Sequence, residues 1–268
     1  MQVRTVRPVE QEALLDLLDG WPLPDGWRGR DFFRRYLEVD PTYEDANFWV
    51  AEEGGAPVSC VQIFPRRVRL LGHAVPTGGI GSVYTHPDFR ERGIASALLG
   101  RCVEAMIERG FELSILFAGR TAWYTGLGWN SWLSQRTVLR LADPDDAMPV
   151  PDGLEVAPFD WERDFEPVRA IHSAYSATRN GTVVRDTPLW SASFRLAGNP
   201  IEDFQVVRRE GRVVAYLRAT LLNGVFQVTE LGRLDEAADA LAVLLTQLLK
   251  PRDPDPIAPP GKASRELR

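Results

Sequence analysis

Residues 81–99, GSVYTHPDFRERGIASALL, set a β-prone run directly before a basic turn and an amphipathic helix. Residues 81–85 read as the end of a strand, His86-Pro87 breaks it, and Arg90-Glu91-Arg92-Gly93-Ile94-Ala95 turns the chain into the helix. A turn of this kind aims several backbone N–H groups at one point, where the helix dipole and two arginines favour an anion. Gly93 lets that anion approach the main chain without a Cβ in the way. The chemistry indicated is recognition of a phosphorylated ligand.

Other reactive residue types are sparse. His73, His86 and His172 are scattered and Cys60 and Cys102 stand apart, so no metal-ligand spacing exists and no metal is expected. Both cysteines sit in apolar patterned segments and read as buried free thiols. His86, pinned before a proline at a strand end, reads as structural rather than as a general base. No motif for a nucleophilic serine or cysteine is present.

The elements that must position the turn follow from hydrophobic periodicity. Strand 3–7 and helix 9–18 open the chain, and a helix over 30–37 carries Phe32, Phe33, Tyr36 and Leu37. Antiparallel strands are expected at 47–53, 58–64, 68–71 and 74–85. Helix 94–109 turns Ile94, Leu98, Cys102, Ala105 and Met106 to one side, with Gly110 as its C-cap. Strand 111–117 follows, with Phe111, Leu113, Ile115 and Phe117 on one face; a short helix at 122–126 and a strand at 137–141 complete the unit. After the Pro- and Asp-rich connector 143–153 the order begins again: strand 154–158, helices 161–174 and 187–196, strands 204–208, 212–222 and 226–231, and helix 234–249. This β-α-α-β-β-β-α order repeats that of the first half. The expected division is 1–143, a degenerate copy over 154–250, and a proline-rich tail over 251–268 read as disordered. At the corresponding strand-to-helix join of the copy, Asp235, Glu236 and Asp239 would repel a phosphate, so the ligand belongs to the first half.

Composition bounds the function. A net charge of −6 over 268 residues argues against general nucleic-acid binding. The N-terminus holds no uncharged apolar stretch of signal or membrane-spanning length, so a cytoplasmic protein is expected, with neither membrane nor nucleic acid as a partner.

Arg90, Gly93 and Ala95 fill all three specified positions of Arg/Gln-x-x-Gly-x-Gly/Ala, and the segment resembles the acyl-coenzyme A pyrophosphate loop of the GNAT acetyltransferase superfamily. The wider runs GGIGSVYTHPDFRERGIASALL and ILFAGRTAWYTGLGW are similar to the enhanced-intracellular-survival acetyltransferases, which carry two tandem GNAT-like domains and bind the cofactor in the first. The resemblance covers residues 1–250, with its specific motifs within 78–129. It implies an α+β fold of two tandem GNAT-like domains, each a mixed, mostly antiparallel sheet flanked by helices. It also implies an acetyl-CoA-dependent N-acetyltransferase that moves an acetyl group to a primary amine of a small molecule or peptide through a ternary complex, and it implies self-association.

Position by position, the resemblance puts Val83, Tyr84 and Thr85 on the strand whose backbone holds the acetyl-pantetheine end. Glu91, Arg92, Gly93, Ile94, Ala95 and Ser96 supply amides to the pyrophosphate, with charge from Arg90 and Arg92. Gly119 and Arg120 line the cofactor near the thioester, where neighbouring strands splay apart, and Tyr124 matches the catalytic tyrosine that protonates the departing thiolate. An aromatic wall packing the core is the alternative for Trp123-Tyr124. Trp27, Phe32, Tyr36 and Trp129 are candidates for the acceptor groove, with core packing an equal alternative. A sterol-carrier-like third domain, whose terminal carboxylate serves as general base in that group, is not expected here, and the tail ending at Arg268 reads as a frayed terminus. A non-catalytic acyl-CoA-binding or regulatory protein would keep the same loop and stands as the alternative function.

Overall fold

A computed structural model of the chain describes residues 1–23, 28–132, 148–196, 202–222 and 225–247. In the first half, β1 (Gln2–Thr5), α1 (Gln11–Asp19) and α2 (Gly29–Val39) lead into β2 (Phe48–Glu53) and the long hairpin of β3 (Ala56–Leu70) and β4 (His73–Thr85). The hairpin turns on Leu71 and Gly72, both at positive φ (50° and 83°), the two-residue geometry whose twist matches that of paired strands. The strands expected at 58–64 and 68–71 are therefore one strand that runs through Pro65. Helix α3 (Ile94–Glu108) returns the chain so that β5 (Leu113–Leu116) lies parallel to β4, a pairing that needs such a crossover. The strand order is β1-β2-β3-β4-β5, antiparallel except for that last pair.

Apolar side chains fill both faces of this sheet. Leu14, Leu15 and Leu18 of α1 and Phe33 of α2 pack with Phe48, Val50, Cys60 and Tyr84 on one side. Ile94, Leu98, Leu99, Cys102 and Met106 of α3 pack with Val61, Ile63 and Ile80 on the other. Both cysteines are free and buried, and burial pushes the Cys102 thiol up to about 12 and Cys60 higher still. Helices α1 and α2 meet at Gly29, where an added Cβ would stand 2.1 Å from the Leu18 carbonyl oxygen. Backbone cannot yield as a side-chain tip can, so Gly29→Ala is expected to cost about 1–3 kcal/mol in thermal unfolding.

After α4 (Thr121–Thr125) the second half supplies β6 (Leu154–Pro158), α5 (Trp161–Ser176), α6 (Thr187–Leu196), β7 (Glu202–Arg209), β8 (Arg212–Leu222), β9 (Val225–Arg233) and α7 (Ala238–Gln247). Its sheet, ordered β6-β7-β8-β9 and antiparallel throughout, repeats the order of β1 to β4. Val207, Val214, Ala215 and Leu217 pack there with Ala240 and Leu244 of α7. Both sheets and their helices make the α+β tandem architecture that the sequence implies.

The chain divides into two compact units, and the first is Met1–Ser134 together with Val183–Leu196. The expected division puts 183–196 in the second half. Instead the Val184 N–H donates to the Arg67 carbonyl at 2.8 Å, Val183 bridges to Val68, and α6 packs on α2. Strand 111–117 shortens to β5, because pairing with β4 ends at Leu116; Phe117 leaves the apolar face and is 99% exposed. The expected strand 137–141, the tail 251–268 and Trp27 lie outside the described residues. Among those described, no helix is long and apolar enough to cross a membrane.

Candidate active site

Strands β4 and β5 pair from Thr77↔Leu113 to Ile80↔Leu116 and then part. Beyond that point β4 continues to Thr85 bonded to β3 alone, while the chain after Leu116 departs through Phe117–Arg120 into α4. The parting opens a cleft of about 1240 Å³ whose described walls all belong to the first unit. Val83, Tyr84, Thr85, Arg90, Glu91, Gly93, Ile94, Ala95, Ser96, Gly119, Arg120 and Tyr124 all line it. Arg92 does not line the cleft: its Nη2 donates to the Asp88 carbonyl at 2.8 Å and its guanidinium lies over Phe89.

The edge of β4 carries a bulge. Cys60 faces Tyr84 and Gln62 faces Gly81, so Val61 alone opposes Ser82 and Val83. Ser82 holds φ 50°, a left-handed conformation that costs a non-glycine residue about 1–2 kcal/mol. Its surroundings fix it there: Ser82 Oγ donates to Gln62 Oε1 at 3.1 Å and Cys60 Sγ donates to the Ser82 carbonyl at 3.3 Å. A bulge turns local peptide planes away from the ladder, and it does so here beside the open side of the strand. The Tyr84 side chain is held by its hydroxyl, which donates to the Gly20 carbonyl at 2.9 Å.

At the other wall, α3 begins on Gly93, at φ 72°, after Glu91 at φ 63°. No side chain caps this helix and no acid stands in its first turn, in contrast to α5, where Asp160 accepts from the Arg163 N–H at 2.9 Å. The first bond back into the helix is Ala97 N–H to the Gly93 carbonyl, which leaves the N–H groups of residues 94–96 without an intrahelical acceptor. A Cβ at Gly93 would meet nothing within 4 Å; glycine is demanded by the dihedral, and the space before the helix is open. Arg90 anchors the loop through Nε to the Thr85 carbonyl at 3.1 Å and lies over the Tyr84 ring. This donor set fits a diphosphate. His86 has a modest part: its Nδ1 accepts from the Asp88 N–H at 3.3 Å and caps the turn.

Tyr124, on α4, is half-buried with its ring edge-on to Trp123 and Trp129 at 4.7 and 6.1 Å. Trp129 is fixed in turn by its Nε1–H to Ser114 Oγ at 3.1 Å, and it packs in the core rather than on the cleft wall. Burial raises the Tyr124 pKa above its ordinary 10.0, and its hydroxyl makes no hydrogen bond among the described residues. Of the expected acceptor-groove aromatics, Phe32 and Tyr36 do line the cleft. They are joined by Trp21, Phe33 and Phe64.

A family model described as an acetyltransferase (GNAT) domain matches residues 6–131. An acetyltransferase of Pectobacterium atrosepticum is 32% identical over 111 residues, which cover 41% of this chain and 70% of that protein. Among solved structures, a probable N-acyltransferase of Enterococcus faecalis aligns over 92% of this chain and 62% of its own, with a TM-score of 0.69 at 18% identity. Eis1 from Mycobacterium abscessus aligns over 93% and 62%, with a TM-score of 0.60 at 18% identity. The chain thus spans 62% of the length of these two structures, and the likeness to them is one of fold. Identity at the level of the Pectobacterium protein, over most of that relative, shows that the chain belongs to the GNAT acetyltransferase family.

Proposed function

We propose that this protein transfers an acetyl group from acetyl-coenzyme A to a primary amine, with both reactants held together in the cleft of the first unit. The observation that carries the reading is that one cleft joins the uncapped start of α3, the unpaired edge of β4 and the Tyr124 phenol. The N–H groups opening α3, with Arg90, suit the pyrophosphate. The open edge at Val83–Thr85 offers main-chain hydrogen bonds to the pantetheine amides, as an exposed strand does to an added one. Acetyl-coenzyme A supplies the activated thioester when bound. Backbone N–H groups at Val83–Tyr84, beside the Ser82–Val83 bulge, donate to the carbonyl oxygen where negative charge grows. Tyr124 Oη gives its proton to the sulfur that leaves, and its raised pKa keeps that proton in place at neutral pH. Binding both reactants side by side contributes the entropic share of the acceleration.

Acetyl-coenzyme A at a hundred times its Kd is expected to stabilise the protein by about 2.7 kcal/mol in thermal unfolding. The same preparation should release coenzyme A thiol when an amine is added. A Gly93→Val chain puts a branched side chain at φ 72° and crowds the phosphate corner; a rise in Kd of about tenfold, or about 1.4 kcal/mol, is expected by calorimetry. Absence of any thermal shift at millimolar acetyl-coenzyme A refutes the reading.

A further inference from the structure

The cleft does not end where β4 and β5 part. It continues to a compartment walled by Trp21, Phe32, Phe33, Tyr36 and Phe64. The rings form one continuous surface: Trp21 meets Phe33 at 5.3 Å, Phe33 meets Phe32 at 5.1 Å, Phe32 meets Tyr36 at 5.6 Å, and Tyr36 meets Phe64 at 5.6 Å. Phe64 lies across β4 because Gly81 has no side chain; a Cβ there would stand 2.7 Å from Phe64 Cε2. The floor of the compartment is therefore an aromatic ring set one residue before the Ser82 bulge.

Charge is distributed against a cationic guest. The charged residues among the described cleft walls are Arg90, Glu91 and Arg120, all from the two loops that flank α3 and α4, and none from the aromatic wall. Glu91 is the one acid among them, and no histidine lines the cleft. Asp40 does not line it; buried, it is held by Arg66 Nη2 at 2.6 Å and Thr42 Oγ1 at 2.8 Å. A polycation would enter with more charges than Glu91, the single acid among the described walls, can pair. An aromatic ring would meet edges and faces at the spacing aromatic pairs prefer. Desolvation in such a compartment also favours the neutral form of an amine, the form that attacks, where the walls offer no histidine and a single loop carboxylate as base.

Resting on the acetyl-transfer reading, we infer that the acceptor is an arylalkylamine, bound with its ring against Phe64 and Tyr36 and its amino group toward the bulge. As the nitrogen–carbon bond forms and the carbon–sulfur bond breaks, Tyr124 gives the sulfur its proton, the surplus nitrogen proton passes to water, and Tyr124 is reprotonated from water.

The test uses the full chain and two readouts. In thiol release, kcat/KM for 2-phenylethylamine should exceed those for spermidine and for an aminoglycoside by at least about a hundredfold. In calorimetry, 2-phenylethanol, which has the same shape without a reactive amine, should bind the coenzyme A complex. Phe64→Ala, and independently Tyr36→Leu, should weaken that binding about tenfold and leave the Kd for coenzyme A unchanged. Equal or better turnover of spermidine or the aminoglycoside overturns the acceptor assignment alone, as does failure of 2-phenylethanol to bind. Binding of 2-phenylethanol with no thiol released from any amine overturns the transfer reading, and the acceptor assignment with it.

Discussion

Tyr124→Phe is expected to lower kcat by about 10²–10⁴-fold while the Kd for coenzyme A stays as it is, because positioned proton transfer contributes in that range. The substitution is unusually clean. The Tyr124 ring packs edge-on against Trp123 and Trp129, contacts that phenylalanine keeps, and the hydroxyl has no hydrogen bond among the described residues to lose. Stability should therefore change by no more than about 0.5 kcal/mol. A drop in kcat with KM unmoved identifies an interaction made only as the sulfur departs. Single-turnover thiol release isolates that step, and unchanged turnover removes Tyr124 from the chemistry. Burial raises the phenol above 10, so the wild-type rate should show no loss of this acid until the pH exceeds 10.

The second large effect lies in the other unit and concerns stability. Asp164 on α5 is fully buried, and Arg208 Nη2 donates to both of its carboxyl oxygens at 2.8 and 2.7 Å. Arg163 Nε adds a third bond at 3.1 Å and the Asp160 N–H a fourth at 2.9 Å. Asp164→Ala strips the Arg208 guanidinium, itself only 4% exposed, of its two shortest bonds and leaves it the longer contact of Nη1 with Glu155 Oε1 at 3.3 Å, at an expected cost of about 3–5 kcal/mol. The double substitution Asp164→Leu/Arg208→Met should recover most of that loss, since an apolar pair of similar volume avoids the desolvation of two ions. Urea unfolding of the three chains measures both numbers; an Asp164→Ala cost below about 1 kcal/mol would show the pair to be idle. Burial alone would push this carboxyl up, but hydrogen bonds from Arg208 and Arg163 outweigh it and hold the group below the usual carboxylate range. A depressed native pKa means that this stabilisation is present above the unfolded value near 4 and is lost as pH falls through the lower folded value. The wild type should weaken through that acid window, and the Asp164→Ala chain should lack this component.

Periodicity and turn chemistry carry most of the fold. The i, i+4 spacing of Ile94, Leu98 and Cys102 and the break at Gly110 define α3 within a residue, and Gly93 marks its start because a left-handed N-cap there favours glycine. The repeat of element order is likewise readable, since each strand and helix announces itself locally. What stays hidden depends on partners far away in sequence. Ser82-Val83-Tyr84 alternates like any strand, and nothing in three residues tells that β3 opposes them with one too few. Phe117 continues an apolar alternation, and only the end of pairing at Leu116 shows that it leaves the sheet. Phe64 and Trp21 look like core by type; that they face a cleft follows from Gly81 and from the gap between β4 and β5. The uncapped turn into α3 is legible from Arg90 and Gly93 because backbone donors at a helix start are local. The place of Tyr124 in the same cleft rests on a resemblance, since spacing alone leaves it as core aromatic.

The threading of Val183–Leu196 into the first unit bears on how the molecule is made. The Arg67 carbonyl must wait, as the ribosome works, for β6 and α5 to be synthesised before its partner at Val184 emerges. The unit that carries the cleft is thus interleaved with its neighbour along the chain, and no single cut separates the two. Its final native pairing closes a long loop late, the kind of non-local step that slows folding. The nascent cleft domain reaches completion only once the chain has been translated through Leu196, with β7, β8, β9 and α7 still to come.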